Sequence, residues 1–137
     1  MKKTLLITKF FPPAIGGIEN YFSEVCQRLE PQETVVLTSP QNNAVEFDDN
    51  QKYKIYRAEF FSGRVQPRWR HLKRIIQQII KDEGIEQIIF GHFHPLCLLG
   101  KKIGLPYFIF GHGTDVTQIK NSWWQKYALK KSYSNNL

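Results

Sequence analysis

Short apolar runs alternate along the chain with longer segments in which apolar residues recur every three or four positions. Proline, glycine or polar residues bound the short runs, which is typical of buried β-strands. The pattern predicts five strands, at residues 4–10, 34–38, 53–57, 87–90 and 106–110. The third of these runs is less apolar, and we expect it at an edge of the sheet.

The longer segments predict amphipathic helices. One begins at Ile18 and ends before Pro31, with Glu19 in its first turn, where a negative charge suits the helix dipole. Another runs from residue 68 to a stop at Gly84, and its apolar face comprises Trp69, Leu72, Ile75, Ile76, Ile79 and Ile80. Two more are predicted at residues 94–102, ended by Gly104, and at residues 123–133, whereas the polar residues 41–50 predict a loop.

Strands and helices therefore alternate, and this order predicts a parallel sheet with helices on both faces. The length of 137 residues suits a single domain with a substantial core. The sequence has no repeat and no evident linker. We predict an α/β, Rossmann-like fold in one domain over residues 1–137.

The net charge of +7 is concentrated in two acid-free segments, residues 64–81 and 116–137. Such segments attract anions, including an acidic membrane surface, although a solvated face of a basic protein explains them equally well. On the second helix, isoleucines can face the core while the basic residues face outward. The candidate membrane or anion contacts are Arg64, Arg68, Arg70, Lys73 and Arg74.

The two cysteines, Cys26 and Cys97, have no CxxC partner and lie in apolar, helical segments. They predict buried, reduced thiols in a cytoplasmic protein. The N-terminal apolar run is too short for a signal peptide and Lys9 interrupts it. No segment approaches the length of a membrane span. We expect a cytoplasmic location, with peripheral attachment to the inner membrane face as an extension of it.

Three distinctive segments follow predicted strands: Gly16-Gly17, His92-Phe93-His94 and residues 111–115. In a parallel sheet, ligands bind beyond the carboxyl ends of the strands. Glycines at a helix start let backbone N–H groups approach an anion, but a tight turn with positive φ explains them equally well. The segment is neither GxGxxG nor a Walker loop, so the usual nucleotide motifs are absent.

The histidines allow more than one kind of site. His92, His94, His112 and Asp115 form a plausible metal set, but hydrogen bonding to a substrate is the favoured interpretation. His112 lies between two glycines and is suited to general acid or base chemistry. Asp115 is expected to shape its loop.

Three stretches together resemble the N-terminal half of the family 4 glycosyltransferases, which have the GT-B fold. They are ITKFFPPAIGGIENY (residues 7–21), IIFGHFHP (residues 88–95) and FGHGTDV (residues 110–116). The family has a "PP…GG(I/A)E" loop, an "H.H" strand end and an "HG.D" loop in the same order. Each match alone is weak, but their order over most of the chain is specific.

The resemblance implies retaining transfer of a sugar from a nucleotide-sugar donor, which is a substrate. We expect no further cofactor and no metal. It implies that Gly17, with Gly16 beside it, lies near the donor diphosphate, and that His112 is the catalytic residue that reaches the donor sugar. His94 would face the acceptor cleft, and Asp115 matches the acidic residue of the "HG.D" loop. A lipid, a polysaccharide or a glycoside would each fit as acceptor.

The family also has a second, donor-binding domain that nothing in this sequence matches. We therefore expect the chain to be a fragment, a truncated product or one subunit of a split enzyme, inactive without that domain. Trp123 and Trp124 would then be exposed or buried in a homodimer. A non-enzymatic anion- or membrane-binding module and a small metal-dependent hydrolase remain the alternatives, and no nucleic-acid partner is expected.

Overall fold

The computed structural model describes residues 1–60, 68–92 and 97–112. Its centre is a five-stranded sheet in the order β3-β2-β1-β4-β5, and every neighbouring pair is parallel. This confirms the predicted α/β, Rossmann-like fold. The strands are β1 (Thr4–Ile7), β2 (Thr34–Thr38), β3 (Lys54–Arg57), β4 (Gln87–Phe90) and β5 (Tyr107–Ile109).

Four α-helices connect the strands within the described residues: α1 (Gly17–Arg28), α2 (Ala44–Asp49), α3 (Arg68–Glu83) and α4 (Cys97–Ile103). The helix α1 ends before Pro31, as predicted, and a short 3-10 turn, Pro31–Glu33, follows it. Gly84 and Gly104 have φ of 66° and 80° at the ends of α3 and α4, a conformation that favours glycine. Residues 94–96 and the predicted helix at 123–133 lie outside the described residues.

Successive strand residues point to opposite faces of the sheet, so the core has two layers. On one face α3 and α4 cover odd-numbered residues of β1 and β2, with Leu72, Ile76 and Ile79 buried as predicted. On the other face Phe22 and Cys26 of α1 pack against Leu6 and Val36. Helices therefore cover both faces, as the alternating pattern predicts.

The prediction that residues 41–50 form a loop is wrong, because they contain α2. This helix of six residues is too short to be stable by itself, and its stability comes from tertiary contacts. Ala44 is buried, and Asp48 forms an ion pair with Arg57 of β3. A short polar segment carries too little periodicity to reveal such a helix.

The predicted end of the first strand is also wrong, because β1 ends at Ile7 and not at Phe10. The Thr8 hydroxyl lies 3.2 Å from the backbone nitrogen of Phe10 and 3.1 Å from its carbonyl oxygen. This local side-chain bonding competes with a strand and turns the chain out of the sheet. The fifth strand is one residue shorter at each end than predicted. The third begins at Lys54 and lies at an edge as expected.

The Cys26 thiol is buried in α1, and its burial raises its pKa to about 12, so it stays protonated at neutral pH. This agrees with the prediction of a buried, reduced thiol. Cys97 is the first residue of α4. None of the helices in the described ranges has the length and apolarity required to cross a membrane.

Candidate functional site

The β1–α1 loop, residues 8–16, is held at the carboxyl edge of the sheet by side chains from other loops. The Ser39 hydroxyl donates to the carbonyl of Lys9 at 2.6 Å. Gln41 bonds the loop twice: its Oε1 accepts from the Ala14 amide at 2.8 Å and its Nε2 donates to the Phe11 carbonyl at 3.1 Å. The loop is therefore positioned before any ligand binds.

Arg57, at the end of β3, adds the strongest of these restraints. Its guanidinium donates two bonds of 2.8 Å to the carboxylate of Asp48. The same group donates to the carbonyls of Pro12 at 2.7 Å and Ser39 at 2.9 Å. One cation thus joins α2 and two loops, and such charge-assisted, bidentate bonding is strong and directional. No local sequence pattern indicates this role, because the partners of Arg57 are far apart in the chain.

His92 attaches the same loop to the end of β4. Its Nε2 accepts the backbone N–H of Lys9 at 3.1 Å and lies 3.0 Å from the Thr8 hydroxyl. This nitrogen therefore acts as a hydrogen-bond acceptor in the structure, which argues against its use as a metal ligand. The described part of the chain contains no group of three His, Cys, Asp or Glu side chains that could hold a metal ion. His94 and Asp115 lie outside that part.

Gly16 and Gly17 begin α1, with Gly16 as the N-cap residue. Gly16 has φ of −178° and ψ of 169°, and Gly17 also lacks a positive φ, so the alternative of a tight positive-φ turn is wrong. A side chain on Gly16 would overlap the carboxylate of Glu19, which supplies the expected negative charge at the helix N-terminus. At Gly17, among the described residues and apart from the adjoining backbone of α1, no heavy atom lies within 4 Å of an added Cβ.

His112 lies close to α1 at the same edge. Its ring centroid is 5.4 Å from that of Phe22, 6.3 Å from that of Tyr21 and 6.1 Å from that of His92. The ring centroid of Phe110 lies 6.4 Å from that of Tyr21 and 6.2 Å from that of Phe22. The ring centroids of Phe10 and His92 are 5.0 Å apart. We call this connected group the aromatic rim; it comprises Phe10, Tyr21, Phe22, His92, Phe110 and His112.

Gly91 is a further residue of this edge that the sequence analysis missed. A Cβ at Gly91 would lie 2.9 Å from both the Phe22 ring and the Cβ of Thr8, closer than real contacts allow. The absence of a side chain therefore lets α1 approach the end of β4. This close approach brings Phe22, and with it His112, over the strand end.

The basic residues predicted as anion contacts do not join this site. Arg70 and Arg74 are exposed on α3 and Lys73 is half-buried there. Because α3 covers the sheet face opposite α1, these residues lie on a different surface from the aromatic rim. Arg68 begins α3, and Arg64 lies outside the described residues.

The arrangement therefore combines a helix start with open space beside Gly17, a histidine next to that helix and a loop held in place by hydrogen bonds. No protein-family model matches the chain. The chain is similar to curated mannosyltransferases. These relatives are glycosyltransferases, the enzyme class that the three sequence motifs predict.

One relative is a GDP-mannose-dependent monoacylated alpha-(1-6)-phosphatidylinositol monomannoside mannosyltransferase of Corynebacterium glutamicum. It is 32% identical over 100 residues, which is 72% of this chain and 26% of the relative. A GDP-mannose-dependent alpha-(1-6)-phosphatidylinositol monomannoside mannosyltransferase of Mycobacterium tuberculosis is 32% identical over 108 residues, 77% of this chain and 28% of the relative. The chain thus matches about a quarter of the length of these curated relatives.

Proposed function

We propose that this chain provides part of a retaining glycosyltransferase that moves a sugar from a nucleotide-sugar donor to a lipid-borne acceptor. The names of the relatives favour GDP-mannose as the donor and a phosphatidylinositol mannoside as the acceptor. The observation that carries the proposal is the convergence of the glycine pair, His92 and His112 on one edge of a parallel sheet, where such folds bind ligands.

In this proposal the N-terminus of α1 faces the donor diphosphate through Gly17. The backbone N–H groups of a first helical turn and the helix dipole favour an anion there. A glycine at this position leaves room for the phosphate oxygens, and no contact with another described residue requires a glycine there. Negative charge grows on the leaving diphosphate during transfer, and fixed N–H donors would stabilise it.

His112 is the proposed catalytic residue. Its ring lies beside α1, so a sugar attached to a diphosphate at Gly17 would lie within reach of the imidazole. The imidazole can donate or accept a hydrogen bond to a sugar hydroxyl. The proposed roles of His94, facing the acceptor, and of Asp115, shaping the loop after His112, complete the site.

The test is a titration of the isotope-labelled chain with GDP-mannose, followed by amide NMR signals. We expect the largest shifts at Gly16, Gly17 and His112. Gly17→Ala is the informative variant, because the methyl group overlaps no side chain in the described part of the structure but occupies the space assigned to the diphosphate. It should keep the fold and weaken binding by about tenfold, the effect of one or two lost anion contacts.

Asn20→Ala, at an exposed position one turn along α1, is the matched control and should bind as the unaltered chain does. GDP without the sugar should still shift Gly17 but should shift His112 less. Equal affinity of Gly17→Ala and the unaltered chain would contradict the placement of the diphosphate. An absence of shifts at both Gly17 and His112 at saturating donor would contradict the proposed function itself.

The basic side chains of α3 favour an additional attraction to an anionic membrane surface, where a lipid-borne acceptor would lie. Arg70, Lys73 and Arg74 form no ion pair with any other described residue. The same observation favours the second candidate function, a membrane-binding module without catalysis. A lipid acceptor and a membrane-facing helix are compatible in one molecule.

A further inference from the structure

We propose that Tyr21 and Phe110 form the wall of a binding site for a cyclic polyol, the ring of a sugar or of an inositol, with His112 at its border. The inference rests on the proposed function only where it assigns the polyol ring to the acceptor. The site uses Tyr21 and Phe110, the outer part of the aromatic rim, which have no role in the proposed donor site.

The first observation is the exposure of large aromatic side chains at one place. Tyr21 is 46% exposed and Phe110 is 38% exposed, although both lie next to the fully buried Phe22. The helical spacing of α1 predicts Tyr21 on the apolar face, yet the residue is almost half exposed. Exposed aromatic side chains gathered at one place are typical of recognition surfaces.

The second observation is the geometry of the two rings. Their centroids are 6.4 Å apart and their planes are inclined by 53°, so they form an open angle and do not stack on each other. Tyr21 follows Gly17 by four residues and therefore shares its side of the helix. Side chains on a helix lean toward its N-terminus, which directs the Tyr21 ring toward the open space beside Gly17.

The third observation is the chemistry at the border of these rings. The Tyr21 hydroxyl and the imidazole of His112 can each donate or accept a hydrogen bond, and their ring centroids are 6.3 Å apart. A cyclic polyol has C–H bonds on the faces of its ring and hydroxyl groups at its edge. Aromatic faces with polar groups at their margin match this distribution, whereas an acyl chain would use only the rings.

The position of the site has a consequence for transfer. A polyol against Tyr21 would lie directly beside a diphosphate at Gly17, because the two residues are one helical turn apart. An acceptor ring held there would present a hydroxyl group toward the donor sugar. The site therefore deepens the proposed function by giving the acceptor a cyclic, hydroxylated head group.

The experiment is saturation-transfer NMR with two separate probes, myo-inositol and methyl α-mannopyranoside, with irradiation of the aromatic protons of the chain. We expect transfer to the ring C–H protons of one or both probes. Preference for inositol would assign the site to an inositol head group, and preference for the mannoside would assign it to a sugar. Either result supports a polyol site.

The variants separate this site from other aromatic surfaces. Tyr21→Ala with Phe110→Ala should reduce the transfer by roughly three- to tenfold, as expected for the loss of two aromatic contacts. Tyr21→Phe should retain most of it, because the ring remains. Phe108→Ala is the matched control and should change nothing. Phe108 is an exposed aromatic residue of β5, two positions before Phe110, and the described residues show no ring contact between it and Tyr21.

Unchanged transfer in the double variant, or no transfer to either polyol, would overturn the inference. A third outcome would also overturn it: neither polyol receives transfer, but the base protons of guanosine monophosphate do, and the double variant loses that transfer.

The GDP-mannose shift of the Gly17 amide is a separate signal. If it persists without a polyol signal, the polyol site fails alone; if it is absent while the polyol signal depends on Tyr21, the proposed donor site fails alone.

Discussion

At the scale of single residues, Arg57 shows how one partly buried cation can position a candidate site. Its side chain is only 12% exposed, and its hydrogen bonds to described residues go to α2 and to the two loops beside it. A buried guanidinium is stable only where carboxylate and carbonyl oxygens replace its water. Here the Asp48 carboxylate balances the charge and the Pro12 carbonyl extends its effect to the β1–α1 loop.

We therefore expect Arg57→Lys to be costly. A lysine cannot bond Asp48 through two nitrogens while also reaching the carbonyls of Pro12 and Ser39. The free energy of unfolding should fall by roughly 1–3 kcal/mol, and the amide of Ala14 should exchange its hydrogen faster. Chemical denaturation and hydrogen exchange measure the two effects.

Arg28→Lys is the matched control, because the Arg28 side chain is exposed and its pair with Glu24 is worth little. If Arg57→Lys behaved like Arg28→Lys in both measurements, Arg57 would not restrain the loop.

At the scale of elements, α3 divides its two faces between the core and the solvent. Leu72, Ile76 and Ile79 face the sheet, and Arg70, Arg74 and Lys81 face outward. Packing against the sheet is thus confirmed as the role of the apolar face. The basic face has no such role in the described structure, and the prediction that it contacts an anionic surface is a separate one.

We predict that vesicles of phosphatidylglycerol bind the chain and that vesicles of phosphatidylcholine do not. Each basic residue near an anionic surface contributes about 1 kcal/mol, so Arg70→Gln with Arg74→Gln should weaken binding by at least about tenfold. Added salt should weaken it as well. Co-sedimentation over a range of lipid concentrations measures these affinities.

The double variant Lys2→Gln with Lys52→Gln removes the same charge from exposed sites outside α3 and is the matched control. Binding lost equally in both double variants would mean that net charge, and not the face of α3, attracts the membrane.

At the scale of the whole molecule, the side of the sheet at the carboxyl ends of the strands and the side at their amino ends have different roles. The carboxyl edge carries the β1–α1 loop and the aromatic rim, and the opposite edge carries an ionic network centred on Glu83. The Glu83 carboxylate accepts bonds from Lys54 at 2.7 Å, Tyr56 at 2.6 Å and Lys3 at 3.4 Å. These bonds connect the end of α3 with β3 and with the residue before β1.

This network makes stability depend on pH. The bonds from Lys54 and Tyr56 lower the pKa of Glu83 from 4.5 to about 2. A carboxylate whose pKa is lower in the folded state contributes stability above its unfolded pKa, and this contribution is lost as the pH falls from about 4.5 to 2. The bond to Glu83 likewise raises the pKa of Tyr56 to about 12, so ionisation of Tyr56 destabilises the fold above about pH 10.

We expect Glu83→Gln to lower the free energy of unfolding by about 1–2 kcal/mol at pH 7, because neutral hydrogen bonds replace charged ones. The difference between the variant and the unaltered chain should shrink toward zero as the pH approaches 2. Denaturation curves at several pH values measure it. Glu24→Gln, at an exposed carboxylate, should show no such difference, and a Glu83→Gln effect independent of pH would contradict the assigned cause.

The sequence by itself determined the features that depend on neighbouring residues. Apolar periodicity located α1 and α3, short apolar runs located β2 and β4 within their observed bounds, and Gly84 marked a helix end. These signals are local, because burial of one face and the conformation of a breaker depend on residues a few positions apart. The alternation of the elements then predicted the parallel sheet.

Only the tertiary structure decided the features that depend on distant partners. Thr8 and His92 are 84 residues apart, and Pro12 and Arg57 are 45 residues apart, yet these pairs hold the β1–α1 loop in place. The short helix α2 is stable because Asp48 forms an ion pair with Arg57. Tyr21 is almost half exposed because Phe22, and not Tyr21, packs against Gly91. No local pattern encodes such contacts, since they exist only once the chain has brought these residues together.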